Sequence, residues 1–284
     1  MEVAAGRLVV VATPIGNLDD LSPRAADWLR DADLVLSEDT RHTGRLLKHV
    51  GSEVPQWSYH DHNERERLPA VLDRLREGAQ VVLVSDAGTP GVSDPGYRLV
   101  DAASTVGVEV IAVPGPSAAL HALVTSGLPT DRFVFEGFLP RKGQARRARL
   151  HEIAADPRTV VLFLSPHRAG ADLADLAEAC GAGRPAAIGR ELTKLHEETR
   201  RGTLADLAEW AAAGTRGELT LVIGPPNDEP ERAHDPAALA AEVRALMRDG
   251  TDRKQAMRMV ADGAGVPRRE VYQALLDIGP DSSS

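Results

Sequence analysis

Cysteine is almost absent: Cys180 is the single one in 284 residues. One thiol excludes an intramolecular disulfide and any multi-cysteine metal site. Its place in an Ala/Leu-rich helical stretch reads as a small buried side chain. Aromatic residues make up only 4% of the chain, so the core must be built mostly from Val, Leu and Ala. No apolar run approaches the length of a membrane span; the one near the start, residues 8–12, has the length of a strand. No basic-then-apolar leader precedes it, so a cytoplasmic protein is expected. Positive charge is in deficit, with a formal net charge of -9. That excludes a protein that coats nucleic acid without specificity, and leaves any polyanion contact to local basic clusters. None of the glycine-bearing loops is a G-x-G-x-x-G or a Walker loop, so nicotinamide and ATP chemistry lack their usual motifs.

What is present is ordinary globular composition, 43% hydrophobic and 26% charged, in a chain long enough for two domains and a small appendage. The stretch Ser85-Asp-Ala-Gly-Thr-Pro-Gly-Val-Ser-Asp-Pro-Gly96 organises the rest. Three glycines and two prolines in its twelve residues make a stiff loop whose backbone can approach a ligand closely. It follows an apolar β-branched run at 80–84 and precedes a helical pattern, and loops at the carboxyl ends of sheet strands are where open α/β folds bind small molecules. Strands are expected at 7–13, 33–37, 56–60, 80–84 and 108–113, with helices between them, one starting at Ser22-Pro23. This alternation predicts a mostly parallel sheet covered by helices, a first α/β domain over 1–125.

A linker is expected at 126–131 and a second α/β domain over 131–226, with strands at 132–137, 159–165, 186–190, 197–201 and 217–224. A Pro-rich linker at 225–230 then leads to three short helical patterns, 236–248, 253–261 and 268–276, a small helix-turn-helix-like domain over 233–279. The tail after Gly279 is polar.

Strand-end loops at 13–20, 38–41, 60–64 and 85–96 are rich in groups that do chemistry. A fifth, at 114–118, opens a helix with small residues whose N–H groups can meet a carboxylate or hydroxyl. His60 and His62 share a strand face, a spacing more often structural than metal-binding, and no metal is expected. Arg141, Lys142, Arg146, Arg147 and Arg149 place five cations in nine residues without an acid among them. Charge runs on solvated helix faces are normally mixed in sign, so this one is expected to touch phosphates.

Six motifs in this order, Thr13-Pro-Ile-Gly-Asn-Leu18, Glu38-Asp-Thr-Arg41, Tyr59-His-Asp-His-Asn63, Ser85-Asp-Ala-Gly-Thr-Pro90, Pro114-Gly-Pro-Ser-Ala118 and Gly189-Arg-Glu-Leu-Thr-Lys194, resemble the ribosomal RNA small-subunit methyltransferase I family of the tetrapyrrole-methylase superfold. The likeness covers about residues 7–224, and residues 251–276 also resemble a small helical domain often found there. Phe163-Leu-Ser-Pro-His167 departs from the family's usual tyrosine and glutamate before Ser-Pro-His. The resemblance implies a homodimer of two-domain chains with S-adenosylmethionine in the cleft between the α/β domains. It implies methyl transfer to the 2′-hydroxyl of a cytidine in the 16S RNA of the small ribosomal subunit. It also implies a donor site lined by Pro14, Gly88, Thr89, Val92, Ser117, Ala118 and Leu164. Asp86 either joins that site or shapes its loop by Asx-type hydrogen bonds.

In-line transfer gains most from alignment, and a general base near the hydroxyl adds to it. Glu38, Asp39, His60, His62 and Glu191 are the candidates. Arg41, Arg190 and Lys194 read equally as phosphate ligands or as members of structural ion pairs. Two other functions compete: a small-molecule, tetrapyrrole-like methylase of the same superfold, and a ligand-sensing DNA-binding regulator reading through 236–276. The basic run disfavours the first, the net charge the second.

Overall fold

A computed structural model describes residues 6–226, 236–264, 266 and 268–277. Five short strands form the first sheet: β1 Arg7–Val11, β2 Leu34–Ser37, β3 Gln56–Ser58, β4 Gln80–Leu83 and β5 Glu109–Val113, in the order β3-β2-β4-β1-β5. Every pairing in it is parallel. Strands that run the same way need crossover helices, and those cover both faces. Alternate residues therefore enter two cores. Val9, Val11, Val35, Val82 and Val84 pack with Leu29, Leu46 and Leu47 of α1 Pro23–Asp31 and α2 Thr40–Val50. Leu8, Leu34, Leu36, Val81 and Leu83 pack with Val71, Leu75 and Leu99 of α3 Glu64–Arg76 and α4 Tyr97–Thr105. The start of α1 is as the sequence predicts: Ser22 Oγ accepts the Ala25 N–H at 3.1 Å, with Pro23 at the first helical position.

The second sheet has the order β6-β7-β10-β8-β9, from β6 Phe133–Phe138, β7 Thr159–Leu164, β8 Pro185–Arg190, β9 Glu198–Thr203 and β10 Leu219–Ile223. Only β6 and β7 run parallel; the other neighbours are antiparallel. The reversal follows from the short connection 191–197, which returns the chain beside β8 without a crossover helix. One face, with Val160, Leu162, Ile188 and Leu221, is covered by α6 Gly143–Ala155, α7 Ala169–Cys180 and α8 Leu204–Ala212. The opposite face, with Val161 and Val222, is covered by α5 Ala118–Ser126 through Ala119, Ala122 and Leu123. The sequence reading placed 118–125 with the first domain. In the structure the small-residue face of α5 packs on the second sheet, and Ile15 and Leu192 join the same cluster. This cluster ties the two sheets into one compact unit, Met1–Pro226.

Arg184 is a buried cation in that unit. Its guanidinium donates to the Gly224 carbonyl at 2.8 Å and to the Ala154 and Asp156 carbonyls at 3.2 and 3.3 Å, closing the carboxyl end of α6. Beyond it, α9 Pro236–Arg248, α10 Arg253–Ala264 and α11 Arg268–Asp277 bury Leu239, Val243, Ala256, Val260 and Val271 in a core of their own. The expected linker at 225–230 lies, from residue 227 on, outside the described residues, as do 233–235 and the tail after Gly279. Among the described residues no helix is long and apolar enough to cross a membrane.

Candidate active site

In an all-parallel sheet every strand empties its following loop at the same edge, so the motif loops converge. The loops after β1 and β4 are stitched together: Thr13 N–H donates to the Gly88 carbonyl at 2.8 Å and Gly88 N–H to the Thr13 carbonyl at 3.1 Å. The Thr13 hydroxyl adds a bond to the Ser85 carbonyl at 3.2 Å. Asp86 reaches the loop after β2, its Oδ1 accepting the Asp39 N–H at 3.0 Å. Asp86 thus ties two loops together through a partner 47 residues away, where the sequence offered a local Asx-type bond or a donor contact, and it also lines the cleft.

Across from these loops stands the connection 191–197 of the second sheet. Gly16 lies so close to it that a Cβ would fall 2.4 Å from the Lys194 Cγ. Lys194 Nζ bridges Glu191 and Glu218 at 2.9 and 3.0 Å. Between the two sides is a cleft of ≈ 300 Å³ bounded by Thr13, Pro14, Ile15, Ser85, Asp86 and Ala87 on one side and Lys194 and Glu218 on the other. The described non-glycine residues with left-handed backbone are Ser93, Glu191 and Thr193, with φ of 62°, 50° and 66°. All three lie in these two facing loops, and such strain concentrates where a structure must hold a ligand.

The cleft suits a sulfonium nucleoside, offering backbone and small apolar side chains. Behind its wall the buried Thr193 Oγ1, 3.0 Å from where a Cβ on Gly16 would stand, has no hydrogen-bond partner. Gly88 beside it has φ 79°, with Ile15 Cγ2 and the Pro116 carbonyl 3.6 and 3.9 Å from where a Cβ would stand. Ser117 caps α5, accepting the Leu120 N–H at 3.4 Å, and Ala118 follows as its first residue. Thr89 and Val92 are exposed along loop 85–96. Leu164 is placed differently from the sequence expectation: it is 3% exposed and packs in the core under α6 to α8, away from α5. Strand alternation gives the opposite face of β7, packed with α5 and Ile15, to Val161 and Phe163.

The candidate bases separate by environment. Asp39 caps α2 and is bound by Arg41 at 2.8 Å, so the side-chain bond from Arg41 holds its carboxyl well below the usual range. Hydrogen bonds from Lys194 and the Glu218 N–H likewise hold Glu191 down. Both are occupied structurally. Glu38 is shifted the other way, upward by burial and by the charges of Asp86 and Asp61. The sequence reading passed over Asp94, whose carboxyl is pushed up to about 6 by burial, against a bond from Ser85, with Glu38 and Asp86 adding to the rise. Its signal was the Asp-Pro-Gly inside the loop already singled out. His62 is exposed; the His60 and His62 rings lie 6.0 Å apart, and His60 Nδ1 is buried without a partner. Among the described residues no group of three or more His, Cys, Asp or Glu is placed to hold a metal ion.

The basic run, expected from the sequence to touch phosphates, divides into buried, paired and exposed members. Arg146 is 7% exposed and bonds Asp172 at 2.8 Å, Asp175 at 2.6 Å and the Pro140 carbonyl at 3.0 Å. Its position on the inner side of α6 turns it onto α7. Arg149 pairs with Glu136 and with Glu152. Arg141, Lys142 and Arg147 remain exposed and line a groove of ≈ 720 Å³ between α6 and α7, together with Arg168. Arg190 is bound by Glu198 through two nitrogens at 3.0 Å, while Arg41 stays 90% exposed outside its pair with Asp39.

Comparison with known proteins supplies the remaining observations. Residues 7–208 match the family model of the Tetrapyrrole (Corrin/Porphyrin) Methylases. The chain is 46% identical over 277 residues, 97% of its length and 99% of the relative's, to "Ribosomal RNA small subunit methyltransferase I" of Synechocystis sp.. It is 48% identical, with 96% of each chain covered, to the protein of the same name from Mycobacterium bovis. Among solved structures it is similar to uroporphyrin-III C-methyl transferase from Thermus thermophilus complexed with S-adenyl homocysteine. There the TM-score is 0.54 and the identity 22%, over 76% of this chain and 97% of that one.

Proposed function

Because this chain belongs to the tetrapyrrole methylases, and is related over nearly its whole length to small-subunit ribosomal RNA methyltransferases, we propose that it methylates the ribose 2′-hydroxyl of a cytidine in 16S RNA, with S-adenosylmethionine as donor. The observation that carries this reading is the cleft where the motif loops of both sheets meet. Pro14, Asp86 and Gly88 hold the donor from the first sheet, Lys194 and Glu218 close the cleft from the second, and Ser117 and Ala118 present the start of α5. The donor supplies an electrophilic methyl group on its sulfonium. Glu38 receives the hydroxyl proton: it stands in the loop after β2 that Asp86 ties to the cleft wall, it has among the described residues no ion-pair partner like those that occupy Asp39 and Glu191, and burial holds its carboxyl above the usual range. The motif resemblance supports the cytidine and the 2′-oxygen. Nucleoside mass spectrometry of small-subunit RNA, from cells with and without this chain, tests the function. One 2′-O-methylcytidine should vanish with the gene and return with wild type but not with Glu38→Gln; an unchanged nucleoside profile refutes the activity.

Arg141, Lys142 and Arg147 contact RNA phosphates, with Arg41 and Lys194 nearer the cleft. Each neutralised phosphate releases counterions, so affinity falls with salt by about 0.7 log units per contact for single strands. Changing Arg141, Lys142 and Arg147 together to Ala should flatten the log–log salt slope by about 2 while leaving donor binding intact. Equal slopes in a salt titration of RNA affinity would show these cations to be solvated only.

The active form is a homodimer acting in the cytoplasm. Leu120 and Val124, one helical turn apart on the outer side of α5, are 51% and 70% exposed, an apolar face that a second copy would cover. Light scattering should return twice the chain mass; a value near 30.3 kDa contradicts the dimer.

A further inference from the structure

Phenylalanine occurs four times in this chain, and all four residues lie on two neighbouring strands: Phe133, Phe135 and Phe138 on β6 and Phe163 on β7. Phe135 and Phe163 meet edge to face, centroids 5.0 Å apart, and rest on the cluster that includes Ile15 and Leu192. Simple alternation would send Phe138 to the other face from Phe135. Pairing with β7 instead runs from Phe135 opposite Val161 to Phe138 opposite Phe163, so β6 carries one extra residue between them. This bulge passes through Gly137, at φ 61°, and returns the Phe138 ring to Phe163, with centroids 5.5 Å apart. Bulges next to active sites re-aim a side chain in this way.

Core packing does not account for the re-aimed ring, because Phe138 stays 57% exposed. It sits where the two sheets meet: a Cβ on Gly137 would come within 2.8 Å of Ser93 Oγ, one of the left-handed residues of loop 85–96. Three and four residues further on come Arg141 and Lys142, whose side chains are free of acidic partners among the described residues.

We propose that Phe138 is the stacking platform for an unpaired RNA base, holding the target nucleoside while Arg141 and Lys142 hold the adjoining backbone. This rests on the reading as an RNA methyltransferase and adds the residue that receives the base. A nucleotide within folded RNA must leave its stack before its ribose can be aligned, and an exposed aromatic face compensates for the stacking it loses. The donor's adenine is the other planar group at hand. The cleft assigned to it is bounded by the loops after β1 and β4, by α2 and by residues 194 and 218, with no residue of β6. The S-adenosylhomocysteine arm of the test separates the two planar groups.

The test compares Phe138→Ala, Phe138→Tyr and Phe138→Leu with wild type, using small-subunit RNA as probe and S-adenosylhomocysteine as the donor-side ligand. Loss of one base stack corresponds to a fall of roughly 5- to 150-fold. Phe138→Ala should lose RNA affinity and kcat/KM for RNA by a factor in that range, with affinity for S-adenosylhomocysteine unchanged. Phe138→Tyr should restore most of the loss and Phe138→Leu little of it. Wild-type RNA affinity in Phe138→Ala, equal rescue by leucine, or an equal loss of S-adenosylhomocysteine affinity would each overturn the platform. If wild type itself fails to bind and methylate this RNA, the proposed function falls before any variant is compared, and this inference falls with it.

Discussion

Replacing Gly88 with valine will abolish the thermal stabilisation that S-adenosylmethionine gives the wild-type protein. A ligand that binds only the native state at about 100 times its Kd stabilises it by about 2.7 kcal/mol, roughly 5–10 °C for a chain of this size. Gly88 holds φ 79°, where a β-branched side chain is strained by about 1–3 kcal/mol. The Cβ itself would make only ordinary contacts, at 3.6 Å from Ile15 Cγ2 and 3.9 Å from the Pro116 carbonyl, so the damage comes from the backbone. Relieving the strain opens the reciprocal Thr13–Gly88 bonds and separates the two loops that form one wall of the cleft. The variant should still unfold cooperatively, at a lower temperature, with a midpoint that no longer moves on adding donor. A normal ligand shift in this variant would take loop 85–96 out of the donor site.

The second large effect concerns stability alone. Arg146→Ala should destabilise the fold by about 3–5 kcal/mol, because it leaves Asp172 buried at 5% exposure with its principal partner gone. Arg168 also reaches Asp172, at 3.2 Å, but its side chain is 37% exposed and it bonds the Arg141 carbonyl as well. Urea unfolding should show a lower midpoint with unchanged slope. Adding Asp172→Asn should recover part of the loss, since the stranded charge disappears. Arg147→Ala, one residue on and exposed, should stay within about 0.5 kcal/mol of wild type. If Arg146→Ala matched Arg147→Ala, the ion pairs with α7 would carry no stability.

These two arginines show where the sequence stops being legible. Position 146 and position 147 are the same residue in the same basic run, and composition cannot tell them apart. What separates them is a turn of about 100° around α6, and the acids that bury Arg146 lie 26 and 29 residues further along. The parallel sheet was readable because β1, β4 and β5 are short valine-rich runs and helical patterns alternate with the strands, with β3, Gln-Trp-Ser, marked only by Pro55 before it. The direction of the second sheet was not, since it depends on which strands become neighbours, and β10 inserts between β7 and β8 from the far end of the unit. The converging loops were legible as motifs. Leu164 and Phe138 were not, the first because a one-residue parity decides which face it takes, the second because a bulge changes that parity.

The strand order also sets a schedule for assembly. β1 is made before β2 and β3, yet its neighbours are the later β4 and β5: Arg7 pairs with Gln80 and with Glu109. β1 thus waits for a first partner 73 residues further on and for its second 102 residues further on, its Leu8-Val-Val-Val11 uncovered meanwhile. Pairings so distant along the chain close slowly, and an unpaired apolar strand is an aggregation hazard. Refolding yield from denaturant should therefore fall steeply with protein concentration, while β6 and β7, which are near in sequence and parallel through a single helix, form early.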